Sequence, residues 1–137
     1  MTGPDADLEQ RCSMLVDRLR TRHGWALIER AEFVARLLRA ARDHPAVALP
    51  YLAFGVYNRA LYAACSGAEG QERQDQGYAE LFRTLSAAAR QRFPDVAEEA
   101  AQLAVEHTYT RIARCAEPRA FFTFAWQQLL SAARALR

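Results

Sequence analysis

Lysine is missing from this chain of 137 residues: all 18 of its basic residues are arginine. GC-rich coding is the plainer explanation, with selection for guanidinium chemistry as the other. Against 16 acids the formal net charge is only +2, too small to argue nucleic-acid binding from overall charge. Glycine and proline are scarce, six and five, and runs of β-branched residues are absent, which argues against a strand-and-turn protein. With 51% apolar residues, many of them Ala and Leu, the expectation is an all-α helical bundle. The three cysteines, Cys12, Cys65 and Cys115, are odd in number, far apart and without metal-ligand spacing. They read as small buried hydrophobes in a reducing compartment. No apolar run is long enough to span a bilayer and no signal peptide opens the chain, so a soluble, cytoplasmic protein is expected.

Catalytic signatures are also lacking. There is no Gly-rich phosphate loop, His-x-x-x-His pair or nucleophile elbow, and His23, His44 and His107 fall on or beside three different predicted helices. Glu98 and Glu99 are adjacent, so on a helix they point about 100° apart and cannot face each other as an acid pair. The chain is expected not to be an enzyme and to need no cofactor or metal.

What is present is helical periodicity. At this length one domain, or one with an appendage, is expected, and six helices can be drawn. The first covers about Asp7 to Arg22 and stops near Gly24. The second runs from Trp25 to Asp43 with Leu27, Ala31, Val34, Leu38 and Ala41 on one stripe. The third, Val47 to Ala64, is apolar almost all round and predicted to be buried mid-bundle, with Pro50 in its first turn. Ser66 to Gly77 is polar and Gly-bearing and reads as the longest loop. The fourth helix spans Tyr78 to Phe93, before Pro94.

The last 44 residues carry two helices of opposite chemistry. The fifth starts at Asp95, an N-cap whose capping box is completed by Glu98. Ala97, Ala101, Ala104, Val105, Thr108 and Ile112 form its buried stripe. Glu98, Glu99, Gln102 and Glu106 collect opposite, with Leu103 at the edge of that polar arc. Acids near a helix N-terminus suit its dipole and simply face solvent; a mixed carboxylate, amide and leucine surface also suits a basic partner helix. The sixth helix starts at Pro118. Phe122, Ala125, Trp126, Leu129, Ala133 and Leu136 form its core stripe, leaving Phe124, Gln127, Gln128, Ser131 and Arg134 on an outward face. Rings beside amides and guanidiniums suit unstacked bases and phosphates; alternatively, Phe124 packs against the N-terminal helices.

At these residues the chain resembles region 2 of the sigma-70 family, the initiation factors of bacterial RNA polymerase, and most closely its extracytoplasmic-function branch. Members show A-E-D-x-x-Q-E-x-F-x-x-x-W and then E-P-R-A-F-x-x-W-x-x-x-I-A-x-N. Here Ala97-Glu98-Glu99, Gln102, Val105 and Tyr109 stand at the first set of positions. Glu117-Pro118-Arg119-Ala120-Phe121 matches outright, Phe124 takes the second Trp, Leu129 and Leu130 sit near the Ile-Ala pair, and Ser131 takes the Asn. With Tyr78-Ala79-Glu80-Leu81-Phe82 as the family's first helix, the resemblance covers residues 57–137, a region 2-like helical domain behind an N-terminal helical extension of residues 1–56.

The resemblance implies that Glu98, Glu99, Gln102, Leu103 and Glu106 dock on the clamp coiled coil of the polymerase β′ subunit. It places Arg119, Phe124, Gln127, Gln128, Ser131, Arg134 and Arg137 against the melted non-template strand of the promoter −10 element. Core RNA polymerase and single-stranded promoter DNA are then the partners, with room for an anti-sigma or other regulatory protein. Leu103 departs from the acid, and Ser131 from the Asn, of the family pattern. The helix-turn-helix region that reads the −35 element has no counterpart here, so a stand-alone member or a piece of a longer one is expected. Two rival readings are a sigma-like interaction domain without promoter activity (an adaptor or regulator), and a ligand-sensing bundle with an enclosed apolar cavity around the third helix. The extension is expected to pack two to three helices on the bundle, in a position to mask the DNA face.

Overall fold

A computed structural model of the chain describes residues 3–137, and every regular element among them is helical. The helices are α1 (Pro4–His23), α2 (Arg30–Asp43), α3 (Leu49–Cys65), α4 (Gln71–Arg92), α5 (Ala97–Arg111) and α6 (Phe121–Leu136). Two single 3-10 turns, Ile112–Arg114 and Pro118–Ala120, join the last pair. The all-α expectation holds. No helix among the described residues is long and apolar enough to cross a membrane, and none of their His, Cys, Asp and Glu side chains gather into a group that could hold a metal.

Local chemistry explains most of the ends. α1 has Pro4 in its first turn, Asp5 and Asp7 at the positive end of its dipole, and Arg20, Arg22 and His23 at the negative end. It stops where Gly24 turns to φ +68° and donates its N–H to the Arg20 carbonyl at 2.9 Å, the left-handed termination that glycine makes without strain. Consecutive helices run antiparallel. Arg30 pairs with Asp17, and Arg42 approaches Asp5, across α1 and α2. Tyr78 meets Tyr109 edge-on across α4 and α5 at 5.6 Å. Arg137 reaches back from the end of α6 to Asp95, just before α5.

α3 is the hub, packing on α2, α4, α6 and the Pro118–Ala120 turn. From Val56 onward all but Arg59 are buried or half-buried, with Tyr57, Leu61, Ala64 and Cys65 in the core. Its first two turns are not: Tyr51 is 62% exposed and Phe54 is also open. α3 and α4 approach so closely that a Cβ on Gly77 would lie 3.0 Å from the Ala64 methyl and 3.1 Å from the Cys65 sulfur. The three cysteines are reduced and buried. Burial, with the Glu80 charge second, pushes the Cys65 thiol up to about 12.

Four sequence expectations change. α2 begins at Arg30, not Trp25. Residues 24–29 form a connection that turns inward, and Trp25 stacks flat on Tyr57 at 4.1 Å and near-parallel to Phe122 at 5.9 Å. The backbone here is held by a side chain instead of a helix: the Glu80 carboxylate accepts the N–H of Ala26 (2.6 Å) and of Leu27 (3.2 Å) and the hydroxyl of Tyr57. The buried stripe of α2 is accordingly Phe33, Leu37 and Ala41, with Val34 and Leu38 at its edge and Ala31 exposed. The long loop shrinks to residues 66–70, because Gln71 to Gln76 already belong to α4. Finally, Asp95 caps nothing. Val96 occupies the cap position of α5 without a side-chain bond, and the Asp95 carboxylate is drawn to Arg137 at 3.0 Å.

The buried side chains form one cluster extending from Cys12 in α1 to Ala133 in α6. The boundary drawn at residue 57 lies inside α3.

Candidate functional site

α5 and α6 pack side by side, and their small residues allow it. Ala97, Ala100, Ala101 and Ala104 of α5, and Ala125, Ala132 and Ala133 of α6, are all buried. Alanine surfaces bring helix axes close and leave each helix's larger side chains to point elsewhere. In α5 the predicted stripe holds: Ala97, Ala101, Ala104 and Thr108 are buried, Val105 and Ile112 partly so. The Thr108 hydroxyl is satisfied by the Ala104 carbonyl at 2.8 Å.

The opposite face of α5 presents Glu98, Glu99, Gln102 and Glu106 to solvent, with Leu103 half-buried between them. Among the described residues no cation lies within ion-pair distance of these three carboxylates. Arg83 and Arg90 of α4 share a groove of about 600 Å³ with Glu98 but make no pair with it. The face is a row of unneutralised acids just over two turns long, offset by one apolar side chain.

The outward face predicted for α6 is only partly outward. Gln127, Ser131 and Arg134 are exposed. Phe124 is half-buried and packs on the core, stacked near-parallel on the buried Phe121 at 6.4 Å. Gln128 is half-buried, and its carbonyl accepts from Arg111 at 2.8 Å. Phe121, absent from the predicted core stripe, is the fully buried aromatic of this helix, whereas Leu136 is 38% exposed. Phe121, not Phe122, continues the four-residue spacing of the buried Ala125, Leu129 and Ala133.

The two outer arginines have acidic neighbours. Arg119, on that turn, lies 3.4 Å from Glu117. Arg137 bonds Asp95 through two nitrogens and lies 5.7 Å from the Phe93 ring centre. Of the seven residues assigned to the strand, Gln127, Ser131 and Arg134 are free, and Arg119 is exposed beside its pairing acid.

The position of α6 is set from α3 by a residue that sequence reasoning passed over. Asn58 is 5% exposed. Its amide nitrogen donates to the Phe54 carbonyl at 2.7 Å, and its oxygen accepts the N–H of Phe122 at 2.6 Å. One of the orphan donors at the start of α6 is thus capped from another helix. A lone amide in the apolar stretch from Tyr51 to Tyr62 was the signal available for it, since a buried amide must find partners. Glu80, a carboxylate next to Leu81 on the apolar side of α4, carried the same signal.

No protein family, curated protein or solved structure matches the chain.

Proposed function

We propose that this chain is an initiation-factor domain of the sigma-70 type, docking on core RNA polymerase through α5 and meeting the melted −10 strand of a promoter through the Pro118 turn and α6. The observation that carries the reading is the α5 face: Glu98, Glu99, Gln102 and Glu106 are exposed together, with no cation within ion-pair distance among the described residues, on the helix whose sequence resembles the family's polymerase-binding element. Isolated carboxylates left unpaired along one helix face are suited to a basic partner surface, where charge complementarity sets orientation and association rate. Gln127, Ser131, Arg134 and Arg119 lie on the neighbouring element, so polymerase and strand would be held on adjacent faces.

The test is a binding titration of the chain against core RNA polymerase beside the variant Glu98→Arg with Glu99→Arg. Saturable binding should weaken at least about tenfold in the variant, a loss of about 1.4 kcal/mol. Equal binding by both proteins would remove the docking face and the reading with it.

A second reading, an interaction domain of the same shape without promoter activity, draws on a specific observation. Phe124, Gln128 and Arg137 are engaged within the molecule. That reading expects polymerase or another basic protein to bind α5 while Phe124→Ala leaves function intact.

A further inference from the structure

The extension builds a cleft with α3 that continues from Arg119. The cleft measures about 440 Å³, between the C-terminal half of α2 and the exposed first turns of α3. Four arginines line it: Arg36 and Arg39 from α2, Arg59 from α3, and Arg119 from the turn before α6. Arg36 is paired with Glu32 and Arg119 with Glu117. Arg39 and Arg59 have no acid within ion-pair distance among the described residues, and Asp43 is the only carboxylate in the lining. Tyr51, 62% exposed, lies on the same wall as Arg59.

Gly55 gives a second, independent observation. It stands in the middle of α3, where glycine costs a helix about 1 kcal/mol relative to alanine. Elsewhere in this fold a helical glycine marks close packing, as at Gly77. At Gly55 a Cβ would meet nothing within 4 Å, and the residue lines the cleft. The missing side chain therefore leaves room in the cleft itself, as where a ligand approaches a backbone closely.

Unpaired guanidiniums, an open aromatic ring and a bare stretch of helix backbone together make a site for a phosphate attached to a flat ring. Two free arginines offset by one aspartate match the single charges of a phosphodiester chain better than the clustered charge of a free nucleoside triphosphate. Arg119 belongs both to this cleft and to the strand face proposed for α6, so one path joins them. Resting on the reading under Proposed function, we infer that the α2–α3 cleft holds a nucleotide unit of the same single strand, its phosphate on Arg39 and Arg59 and its base on Tyr51. The extension thereby lengthens the strand-binding surface.

Fluorescence anisotropy with a labelled single strand of about ten nucleotides, titrated with the intact chain, tests this. Arg39→Glu with Arg59→Glu should weaken binding at least about tenfold and reduce the log–log salt slope by about 0.7, one single-strand phosphate contact. Gly55→Leu, which fills the cleft without changing charge, should weaken it roughly tenfold as the base loses its space against Tyr51. Both variants should keep the wild-type helical circular dichroism and bind core RNA polymerase like the wild type.

Wild-type affinity in both cleft variants, with loss in Phe124→Ala, would overturn the cleft while leaving the proposed function standing. An abasic strand that binds as well as an ordinary one, or displacement of the strand by an equimolar amount of ATP, would also overturn it. So would absence of strand binding by the wild type, whereas the proposed function is decided separately by the polymerase titration.

Discussion

Glu80 is 3% exposed and lies where an apolar residue would extend the α4 stripe. It holds two amides of the connection between α1 and α2 and the hydroxyl of Tyr57, and Tyr57 in turn accepts a second bond from the Leu27 N–H at 3.1 Å. The nearest cation, Arg83, is 3.6 Å away and mostly in solvent. Burial, reinforced by the bond to Glu80, raises the Tyr57 hydroxyl well above the ordinary tyrosine range, so Tyr57 remains a donor at every pH at which the protein is handled. Glu80→Ala leaves the Ala26 N–H without its partner, the Leu27 N–H with Tyr57 alone and the Tyr57 hydroxyl without an acceptor, and should cost about 3 kcal/mol. Urea unfolding followed by circular dichroism measures this; a midpoint unchanged from the wild type would mean that water or a shifted backbone replaces the carboxylate. The sequence showed an acid on an apolar helix face. It could not show which backbone, 53 and 54 positions away, the acid satisfies.

Among the elements, periodicity was readable where apolar residues recur every third or fourth position, as in α5 and the second half of α3. It failed in three ways, each with a physical cause. The stretch Gln71 to Gln76 has no apolar stripe, yet its residue types are good helix formers, so a polar turn was added to α4 and the loop was overdrawn. Trp25 has helix-compatible neighbours, but the stacking surface offered by Tyr57 and Phe122 outweighs one more turn of α2. Asp95 fits the capping pattern, but Arg137, 42 residues on, takes its carboxylate.

The α5 face was legible because it depends only on spacing along one helix. The α6 face was less so, because Phe124 and Gln128 sit at the boundary of the buried arc and their fate depends on Phe121 and Arg111. Placement of α6 depends in addition on Asn58. Asn58→Ala removes the acceptor for Phe122, leaving a part-buried N–H unpaired at a cost of about 1 to 2 kcal/mol. Hydrogen exchange at Phe122 and the residues after it should accelerate relative to the middle of α6. Uniform exchange along the helix would mean that packing of Phe121, not the amide, fixes its start.

At the scale of the whole molecule, residues 57–137 carry the sequence resemblance, but not by themselves the contacts that satisfy them. Trp25 covers Tyr57 on one side and reaches Phe122 of α6. The Glu80 carboxylate spends its bonds on the N-terminal connection, and Arg73 of α4 donates to the Leu27 carbonyl at 3.0 Å. Cys12, Val16, Phe33 and Leu37, all fully buried, belong to the same core as Leu81 and Leu129. Removing α1 and α2 would bare that side of α3 and leave a buried carboxylate facing water and hydrocarbon. Small domains have little stability to lose. A fragment beginning at Leu49, which keeps α3 whole, should therefore retain helical far-ultraviolet dichroism, bind a hydrophobic dye and melt without a cooperative transition, the behaviour of a collapsed but unpacked chain. The intact chain should melt in one cooperative step. A cooperative transition in the fragment, with no dye binding, would mean that α3 to α6 form a self-sufficient unit. The first two helices would then be an appendage, and their arginines would be free to move independently of Arg119.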